Sequence, residues 1–388
     1  MIAQFAERLN HVHEYYFSKK LDQIARMRAS GLNVINLGIG SPDMLPPKEA
    51  ILEASSSMQL PHVHGYSSYR SSPELRNALA LWLNETYKIK CDPQTEILPL
   101  LGSKEGILYL SMALLNPGDT VLIPNPGYPA YSSVAHLVGA KIIYYNLREE
   151  NHWLPDLSEI ESHDLSRCKL MWINYPHMPS GASADVNLFK KLKDFCQRKK
   201  IVLCNDNPYG LVLNESPPLS LISSDPDLEV VCELNSFSKS FNMAGWRVGV
   251  FIGHRELVNA VISVKSNVDS GMFLPIQHGA IKALKIDQSW HLERNEIYKK
   301  RRDIIWDIFD LLRCTYQKNQ VGLFIWARVP DTILNVEEFI DDLLLKAHVF
   351  ITPGTIFGSN GDRYIRASLC SSLESLKLAQ KNIEGYIK

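Results

Sequence analysis

Short apolar runs alternate with amphipathic stretches over the middle of the chain. Continuous apolar runs of four to six residues are typical of strands buried on both faces, and helical patterns such as 104–115 and 186–198 lie between several of them. The pattern therefore predicts an α/β fold with a mainly parallel sheet covered by helices, in which ligands bind at the carboxyl ends of the strands. The predicted strands are 97–101, 120–123, 141–145, 170–173, 201–204 and 229–234.

The two ends of the chain have a different pattern. A long charged helical stretch over 278–312 is followed by a strand at 323–327, a helix over 336–347, a strand at 364–368 and a final helix from 373. The first 35 residues carry apolar positions at helical spacing, and a short strand is predicted at 33–37. We therefore expect a large domain over 46–275 and a smaller α+β domain formed by 1–45 together with 276–388.

Composition narrows the class of protein. The 388 residues are 45% apolar and 21% charged with a net charge of −1, which gives no electrostatic basis for a nucleic-acid or membrane partner. The seven cysteines are scattered without a Cys-x-x-Cys pair, so reduced core thiols are expected and no metal site. With no signal-peptide pattern and no apolar run of about 18 residues, the expected location is the cytoplasm.

The most informative segment is 236–249, which follows the strand predicted at 229–234. It contains Lys239 between serines, and Arg247 further along. A lysine amine near hydroxyls and a second cation is a candidate Schiff-base former, because desolvation and positive neighbours lower its pKa. The segment resembles the lysine motif of the class I/II aminotransferases, which use pyridoxal 5′-phosphate (PLP). The resemblance assigns Ser236, Lys239 and Arg247 to Ser-x-x-Lys followed eight residues later by Arg.

Two further segments resemble the family's contacts to PLP. Gly102 to Glu105 follows a strand and opens a helix, whose backbone N–H groups favour phosphate, although an ordinary capped helix would look the same. The resemblance gives the phosphate to Ser103 and Lys104. The loop 124–131 by itself would be a rigid turn with two core tyrosines. The resemblance assigns Tyr128 of this loop to stacking on the cofactor ring.

An acidic residue ends the strand at 201–204. Asp206 by itself could be a helix cap, but the family's Asp-x-x-Tyr pattern pairs Asp206 with the protonated pyridine nitrogen and Tyr209 with the ring oxygen. PLP withdraws electrons strongly only while that nitrogen is protonated, and a buried carboxylate holds the proton.

The resemblance also implies a substrate site. A strand arginine is more often a salt-bridge partner, but the family's arginine at the position of Arg366 grips the substrate α-carboxylate as a bidentate fork. Gly40 matches a Gly-rich turn where backbone approaches the same carboxylate. Tyr66 resembles the tyrosine that reaches the phosphate of the neighbouring subunit, and Ser270 resembles part of the same wall. This implies a homodimer with shared active sites.

One position departs from the family. Alignment on Pro179 and Gly181 puts Met178 where the family has an asparagine that hydrogen-bonds the PLP ring oxygen. Methionine cannot donate, and a lost hydrogen bond to a charged group costs about 1.5–3 kcal/mol. Three outcomes are open: His177 supplies the donor, Tyr209 acts alone, or the cofactor imine becomes more basic. The loop 70–72 also carries serine where the family often has glycine, which leaves its backbone conformation open.

Together the motifs resemble PLP fold-type I, the aspartate aminotransferase-like fold, from about residue 33 to 368. The implied function moves the amino group of an α-amino acid to a 2-oxo acid through a Lys239 aldimine and pyridoxamine phosphate, with Lys239, Asp206 and Tyr209 as catalytic residues. A PLP-dependent carbon–sulfur β-lyase would use the same residues, and a non-catalytic sensor is the other alternative.

The sequence does not identify the donor or acceptor. Arg70 or Lys265 could favour an acidic substrate side chain, although a solvated surface charge is the commoner role for both. Tyr15, Tyr16 and Asn267 are further candidates for the substrate wall.

Overall fold

The computed structural model describes residues 5–12 and 16–388. The helices are α1 (Tyr16–Ala29), α2 (Lys48–Ser57), α3 (Pro73–Tyr87), α4 (Ser103–Leu114), α5 (Pro129–Leu137), α6 (Leu157–Glu161), α7 (Val186–Lys199), α8 (Phe237–Ser240), α9 (Arg255–Lys265), α10 (Leu274–Leu284), α11 (Gln288–Leu311), α12 (Val336–Asp342) and α13 (Leu373–Ile387). The strands are β1 (Ile35–Asn36), β2 (Ile97–Leu100), β3 (Thr120–Asn125), β4 (Lys141–Asn146), β5 (Cys168–Ile173), β6 (Val202–Asn207), β7 (Val231–Ser236), β8 (Gly249–Ile252), β9 (Thr315–Tyr316), β10 (Phe324–Arg328), β11 (Val349–Phe350), β12 (Thr352–Pro353) and β13 (Tyr364–Ser368).

Within the described residues, a seven-stranded sheet runs in the order β2-β8-β7-β6-β5-β3-β4. The strands from β7 to β4 are parallel, whereas β8 is antiparallel to both β7 and β2. The prediction of a mainly parallel sheet is therefore confirmed. The strand β8 was missed, because Gly249–Ile252 is a short run directly after the lysine segment and has no clear period of its own.

Helices cover both faces of this sheet, as the alternation of side chains along the strands shows. In β3, Val121 and Ile123 pack in one buried apolar cluster with residues of α4 and α5, while Leu122 packs in a second cluster with residues of α3 and α7. Successive side chains of a strand point to opposite faces, so a wholly apolar strand needs a core on each side. All six residues of β3 are buried accordingly.

The C-terminal part forms a separate four-stranded sheet in the order β12-β13-β10-β9, and β1 pairs in parallel with β11. In this sheet Trp326 of β10 lies opposite Arg366 of β13. The stretch predicted as one helix over 278–312 is two helices, α10 and α11, separated around Asp287, whose side chain caps α11. A charged periodic stretch does not reveal such a break, because both halves keep the same helical period.

The cysteines match the expectation of reduced thiols. All seven are free, and Cys168, Cys196, Cys204, Cys232 and Cys314 are buried. Among the residues that the structure describes, no helix combines the length and the apolar character that crossing a membrane requires.

Candidate active site

A cavity of about 570 Å³ lies at the carboxyl ends of the central strands, between the large sheet and the C-terminal sheet. That volume is in the usual range for a small-molecule site, about 300–1,000 Å³. The residues that the sequence assigned to the site and that line this cavity are Gly40, Ser103, Lys104, Tyr128, Asp206, Tyr209, Ser236, Lys239, Arg247 and Arg366. They come from both ends of the chain and from four separate strand ends, which is what the topology of a parallel sheet favours.

Lys239 lies on the short helix α8 that follows β7, and the Ser236 side chain caps this helix by accepting from the Ser238 N–H. Its amine donates a hydrogen bond to the Gly40 carbonyl oxygen. Burial lowers the pKa of Lys239, and the positive charges of Arg366 and Arg247 lower it further. Desolvation is thus the main cause, with the neighbouring cations adding to it. A lysine with a lowered pKa is more often uncharged and therefore nucleophilic.

Asp206 lies at the end of β6 and is buried. Its Oδ2 accepts a hydrogen bond of 2.9 Å from the Tyr131 hydroxyl, while its Oδ1 has no hydrogen-bond partner. Burial raises the pKa of Asp206 to about 7, and the charge of Glu233 adds to this, although the Tyr131 hydrogen bond opposes it. A buried carboxylate oxygen without a partner is suited to a protonated ring nitrogen, because that nitrogen both donates a hydrogen bond and carries a positive charge.

A second buried carboxylate, Glu233 of β7, lies behind Asp206. Its Oε1 accepts from the side-chain amides of Asn235 at 2.8 Å and Asn207 at 3.4 Å, and its Oε2 accepts from Asn205 at 3.2 Å. The Leu221 backbone N–H donates to the same Oε2 at 2.8 Å. Asn205 and Asn207 flank Asp206 on β6, so this cluster of donors fixes the backbone on both sides of the catalytic candidate.

The opposite end of the cavity is built around the N-terminus of α4. Gly102 precedes α4 with a φ of +90°, and a side chain there would collide with the Arg247 guanidinium. The absence of a Cβ thus lets Arg247 approach the first turn of α4, where Ser103 and Lys104 line the cavity. Backbone N–H groups, a hydroxyl and two cations in one place are the donors that a phosphate group requires.

Arg366 lies on β13 and is buried. Its Nη2 donates to the Gly38 carbonyl oxygen at 2.8 Å, and its Nη1 lies 3.1 Å from the Met178 sulfur. The guanidinium carbon lies 3.8 Å from the centre of the Phe324 ring and 4.6 Å from that of Phe357. The ring contacts hold the guanidinium plane in one orientation, which suits a bidentate grip on a carboxylate.

The structure excludes one of the three outcomes considered for Met178. Both ring nitrogens of His177 are engaged elsewhere, with Ser180 Oγ at 2.7 Å and the Pro126 carbonyl at 3.2 Å, and His177 does not line the cavity. Burial lowers the pKa of His177 to about 3, so the ring is neutral. His177 is therefore no substitute donor, whereas Tyr209 and Asn174 do line the cavity. Asn174 is itself fixed, since its amide donates to the Asp206 carbonyl at 2.5 Å and accepts from the Met178 N–H at 2.9 Å.

Tyr66 and Ser270 lie away from the main cavity. Tyr66 is 93% exposed and lines a second cavity of about 320 Å³ together with Ser270. The sequence assigns both residues to the same intersubunit wall, and they do lie next to each other. A tyrosine of this exposure in a single chain is accessible for contact with another molecule.

The cations considered for an acidic substrate do not reach the main cavity. Lys265 is buried and forms an ion pair of 2.8 Å with Asp269, and exposed Arg70 donates to Asn259 Oδ1 at 2.6 Å. Asn267 donates to the Ser263 carbonyl. The expectation of solvated surface charge is thus wrong for Lys265, because burial beside Asp269 ties its amine to the loop after α9.

The helix α1 contributes to the cavity, but not through the residues that the sequence suggested. Ser18 and Leu21 of α1 line the cavity, whereas Tyr16, on the same helix, does not. Tyr15 lies outside the described residues.

Among the site residues that sequence reasoning missed are Tyr131, Asn174, Phe324 and Phe357. Tyr131 lies one helical turn after Tyr128 and stacks on Trp172 with ring centres 5.1 Å apart, so a core position was the natural interpretation. Phe324 lies in an apolar strand, where nothing distinguishes it from its neighbours. Tyr131 contacts Asp206, and Phe324 contacts Arg366, only because the fold brings distant segments of the chain together.

The backbone of Ser71 has the left-handed conformation. Ser71 is buried with a φ of +59°, so serine adopts the backbone conformation for which the family often has glycine. The Ser71 carbonyl accepts from Arg76 Nη1 at 2.7 Å, which stabilises the turn before α3.

Comparison with known proteins agrees with this fold. The family model described as aminotransferase class I and II matches residues 33–381. LL-diaminopimelate aminotransferase of Dehalococcoides mccartyi is 37% identical over 375 residues, which is 96% of each chain. Transaminase BacF of Bacillus subtilis is 38% identical over 365 residues, 93% of this chain and 91% of BacF. The substrate-bound structure of BacF has a TM-score of 0.95 at 34% identity, covering 99% of this chain and 98% of that one.

The fold and the cavity define an α/β protein of the aspartate aminotransferase-like type, PLP fold-type I. The chain belongs to the class I and II aminotransferase family, and it is a transferase of amino groups. The family uses PLP, and its members act on amino acids and 2-oxo acids. The relatives named above are aminotransferases, and none of the observations favours the carbon–sulfur β-lyase alternative.

Proposed function

We propose that this chain binds PLP through Lys239 and transfers the amino group of an α-amino acid to a 2-oxo acid. The observation that carries the proposal is the presence of two groups in one cavity: the Lys239 amine, whose pKa is lowered by burial, and the unpartnered Oδ1 of Asp206. An amine nucleophile and an acceptor for a ring N–H are the two groups that a pyridine aldehyde cofactor needs from a protein.

The residues present fit the rest of the cofactor. The N-terminus of α4 with Ser103, Lys104 and Arg247 would hold the phosphate, and Tyr128 would stack on the ring. Asp206 would hold the proton of the ring nitrogen. Bound PLP supplies an electron sink that makes the Cα proton of an amino acid acidic.

The chain's own groups would then bind the substrate and move the proton. Arg366 would hold the α-carboxylate beside the backbone of Gly40. The Lys239 amine would be placed to take the proton from the substrate Cα and to give it up again, acting first as base and then as acid. Tyr209 would hydrogen-bond the ring oxygen without help from Met178 or His177.

We also propose that the active form is a cytoplasmic homodimer. Tyr66 and Ser270 together form an exposed wall, and the resemblance gives Tyr66 a contact with the phosphate of a neighbouring subunit. The two-domain division, 46–275 and 1–45 with 276–388, belongs to the same proposal, because it puts the cavity between the lysine-bearing and arginine-bearing parts of the chain.

The test is covalent labelling of the lysine rather than activity alone. Purified protein is loaded with PLP and reduced with borohydride, which turns the imine into a stable amine, and the labelled peptide is identified by mass spectrometry. We expect the label on Lys239 and its loss in Lys239→Ala. The matched control is Lys104→Ala, which changes the other lysine of the cavity and should keep the label on Lys239. A label on Lys104, or none in the unaltered protein, would contradict the proposal.

A further inference from the structure

We infer that the amino acid this enzyme prefers carries an apolar or aromatic side chain, and this inference rests on the proposed function. The relatives include an LL-diaminopimelate aminotransferase, whose named substrate has a second amino and carboxyl group at its far end. The walls of the cavity in this chain favour a different chemistry.

The acidic and basic side chains of the cavity all have assigned roles. Among the described residues that line the cavity, they are Lys104, Asp206, Lys239, Arg247 and Arg366. Each already has a place in the proposed function: two at the phosphate end, one at the ring nitrogen, one at the imine and one at the α-carboxylate. None of these five is left to pair with a charged group at the far end of a substrate side chain.

Apolar groups surround the guanidinium of Arg366. A substrate side chain branches from Cα, one bond from the carboxylate that Arg366 would hold, so residues touching Arg366 lie within reach of it. These are the Met178 sulfur at 3.1 Å and the rings of Phe324 and Phe357, and Leu21 and Ile39 line the same cavity. A thioether, two phenyl rings and two aliphatic side chains form an apolar wall that favours an apolar or aromatic group.

A second copy of the chain would add a further wall to this cavity. The second cavity is lined by 64–67 and 270–273, a set without Lys, Arg, Asp or Glu. It contains an aromatic contact, with the rings of His64 and Phe273 5.9 Å apart. A dimer that closes the active site with this wall therefore adds aromatic, imidazole, hydroxyl and thioether groups, and no lysine, arginine or carboxylate.

The physical consequence is a strong preference. A carboxylate or ammonium brought into such a wall loses its hydration without gaining an ion-pair partner among the described residues around Arg366, whereas an apolar side chain leaves water favourably. Lys265 and Arg70 do not line this cavity in their own chain, where Lys265 is paired with Asp269 and Arg70 donates to Asn259.

The main experiment uses the PLP-loaded protein and a panel of single amino acids without an acceptor, followed by absorption. The panel contains L-phenylalanine, L-leucine, L-methionine, L-aspartate, L-glutamate and LL-diaminopimelate. We expect conversion by the apolar and aromatic donors to be at least about tenfold more efficient than by any of the others, the scale that a hydrophobic site commonly reaches. Equal or greater efficiency with glutamate, aspartate or diaminopimelate would overturn the inference.

A binding measurement separates this inference from the proposed function. The loaded protein is titrated by calorimetry with 3-phenylpropionate and with glutarate, which resemble phenylalanine and glutamate but lack the amino group. Tighter binding of 3-phenylpropionate supports an apolar wall even if no donor reacts, and tighter binding of glutarate contradicts it even if transamination occurs. If no amino acid of the panel reacts and neither carboxylate binds, the proposed function fails and the inference fails with it.

A third test introduces a charged side chain into the apolar wall. Leu21 lies on α1, lines the cavity and is 44% exposed, so Leu21→Arg should fold. We expect the preference for 3-phenylpropionate over glutarate to fall by at least about tenfold, because an arginine can pair with the second carboxylate. The control is Leu292→Arg on α11, an exposed leucine that lines neither cavity, which should leave the preference unchanged. An unchanged preference in Leu21→Arg would contradict the assignment of this wall to the substrate side chain.

Discussion

Asp206 is the residue whose environment matters most for the proposed chemistry. Its raised pKa has a specific consequence for the protein without cofactor. An acid whose pKa is higher in the folded state than in the unfolded state binds its proton more tightly when folded. The stability it contributes is present at low pH and is lost as the pH rises from about 4 to about 7.

Asp206→Asn should remove this pH dependence. We expect the free energy of unfolding of the cofactor-free protein, relative to the variant, to fall by on the order of 4 kcal/mol across that pH range. Urea denaturation of both proteins at several pH values measures it. Asp185→Asn at the start of α7, where asparagine also caps a helix, is the control and should follow the unaltered protein. A constant difference between protein and variant at all pH values would refute the raised pKa.

Met178 is the second residue whose effect can be measured directly. In Met178→Asn the new amide could donate to the cofactor ring oxygen, which stabilises negative charge there and makes the adjacent imine nitrogen easier to deprotonate. We expect the pH at which the visible absorption of the PLP-loaded protein changes to fall by about one to two units. Met178→Leu has a similar volume and no donor, and it should titrate like the unaltered protein. Identical titrations of the asparagine and leucine variants would show that Met178 does not face the ring oxygen.

At the scale of elements, the strand pair β6–β7 is held by the buried Glu233 and its four donors. In Glu233→Gln the new NH₂ group would face N–H donors, which leaves hydrogen-bonding groups unsatisfied. We expect the free energy of unfolding to fall by about 2 kcal/mol or more, measured by urea denaturation. The exposed Glu229, four residues earlier, provides the control, because Glu229→Gln should change it by less than about 0.5 kcal/mol. Equal effects of the two substitutions would mean that the donor cluster contributes little.

The elements also show where sequence patterns succeed. The strands from β2 to β7 and the helices α4 and α7 carry clear periods, so they were predicted within a few residues. The edge elements β9, β11 and β12 were missed because each has two residues, too short to display a period.

At the scale of the whole molecule, the homodimer proposal predicts complementation between two inactive variants. Lys239→Ala lacks the lysine but keeps Tyr66, whereas Tyr66→Ala has the reverse defect. If each site takes Lys239 from one subunit and Tyr66 from the other, a mixed dimer has one intact site. Random exchange should then restore about a quarter of the original transaminase activity.

Sedimentation and an affinity tag on one variant show whether mixed dimers form. Recovery of activity in the purified mixed dimer supports shared sites. Mixed dimers without any recovery would show that Tyr66 acts within its own subunit or not at all, and a monomer with full activity would contradict the homodimer itself.

The sequence by itself determined the order and type of the main elements and the residues that carry the family's motifs. Local periodicity fixes helices and strands, and the motifs around Lys239, Asp206 and Arg366 are each contiguous in the chain. Membership of the aminotransferase family and the mainly parallel sheet therefore follow from local patterns of residues.

Only the tertiary structure decided which side chains surround these motifs. Tyr131 beside Asp206, Phe324 beneath Arg366, the engagement of His177 with Pro126, and the burial of Lys265 against Asp269 are contacts between residues whose own segments look like ordinary core or surface. The physical reason is that charge state and orientation depend on burial and on partners distant in the chain, which a local pattern does not encode. The apolar wall of the cavity is likewise a tertiary feature, since its members come from α1, the segment after β1, the loop between β5 and α7, β10 and the segment before β13.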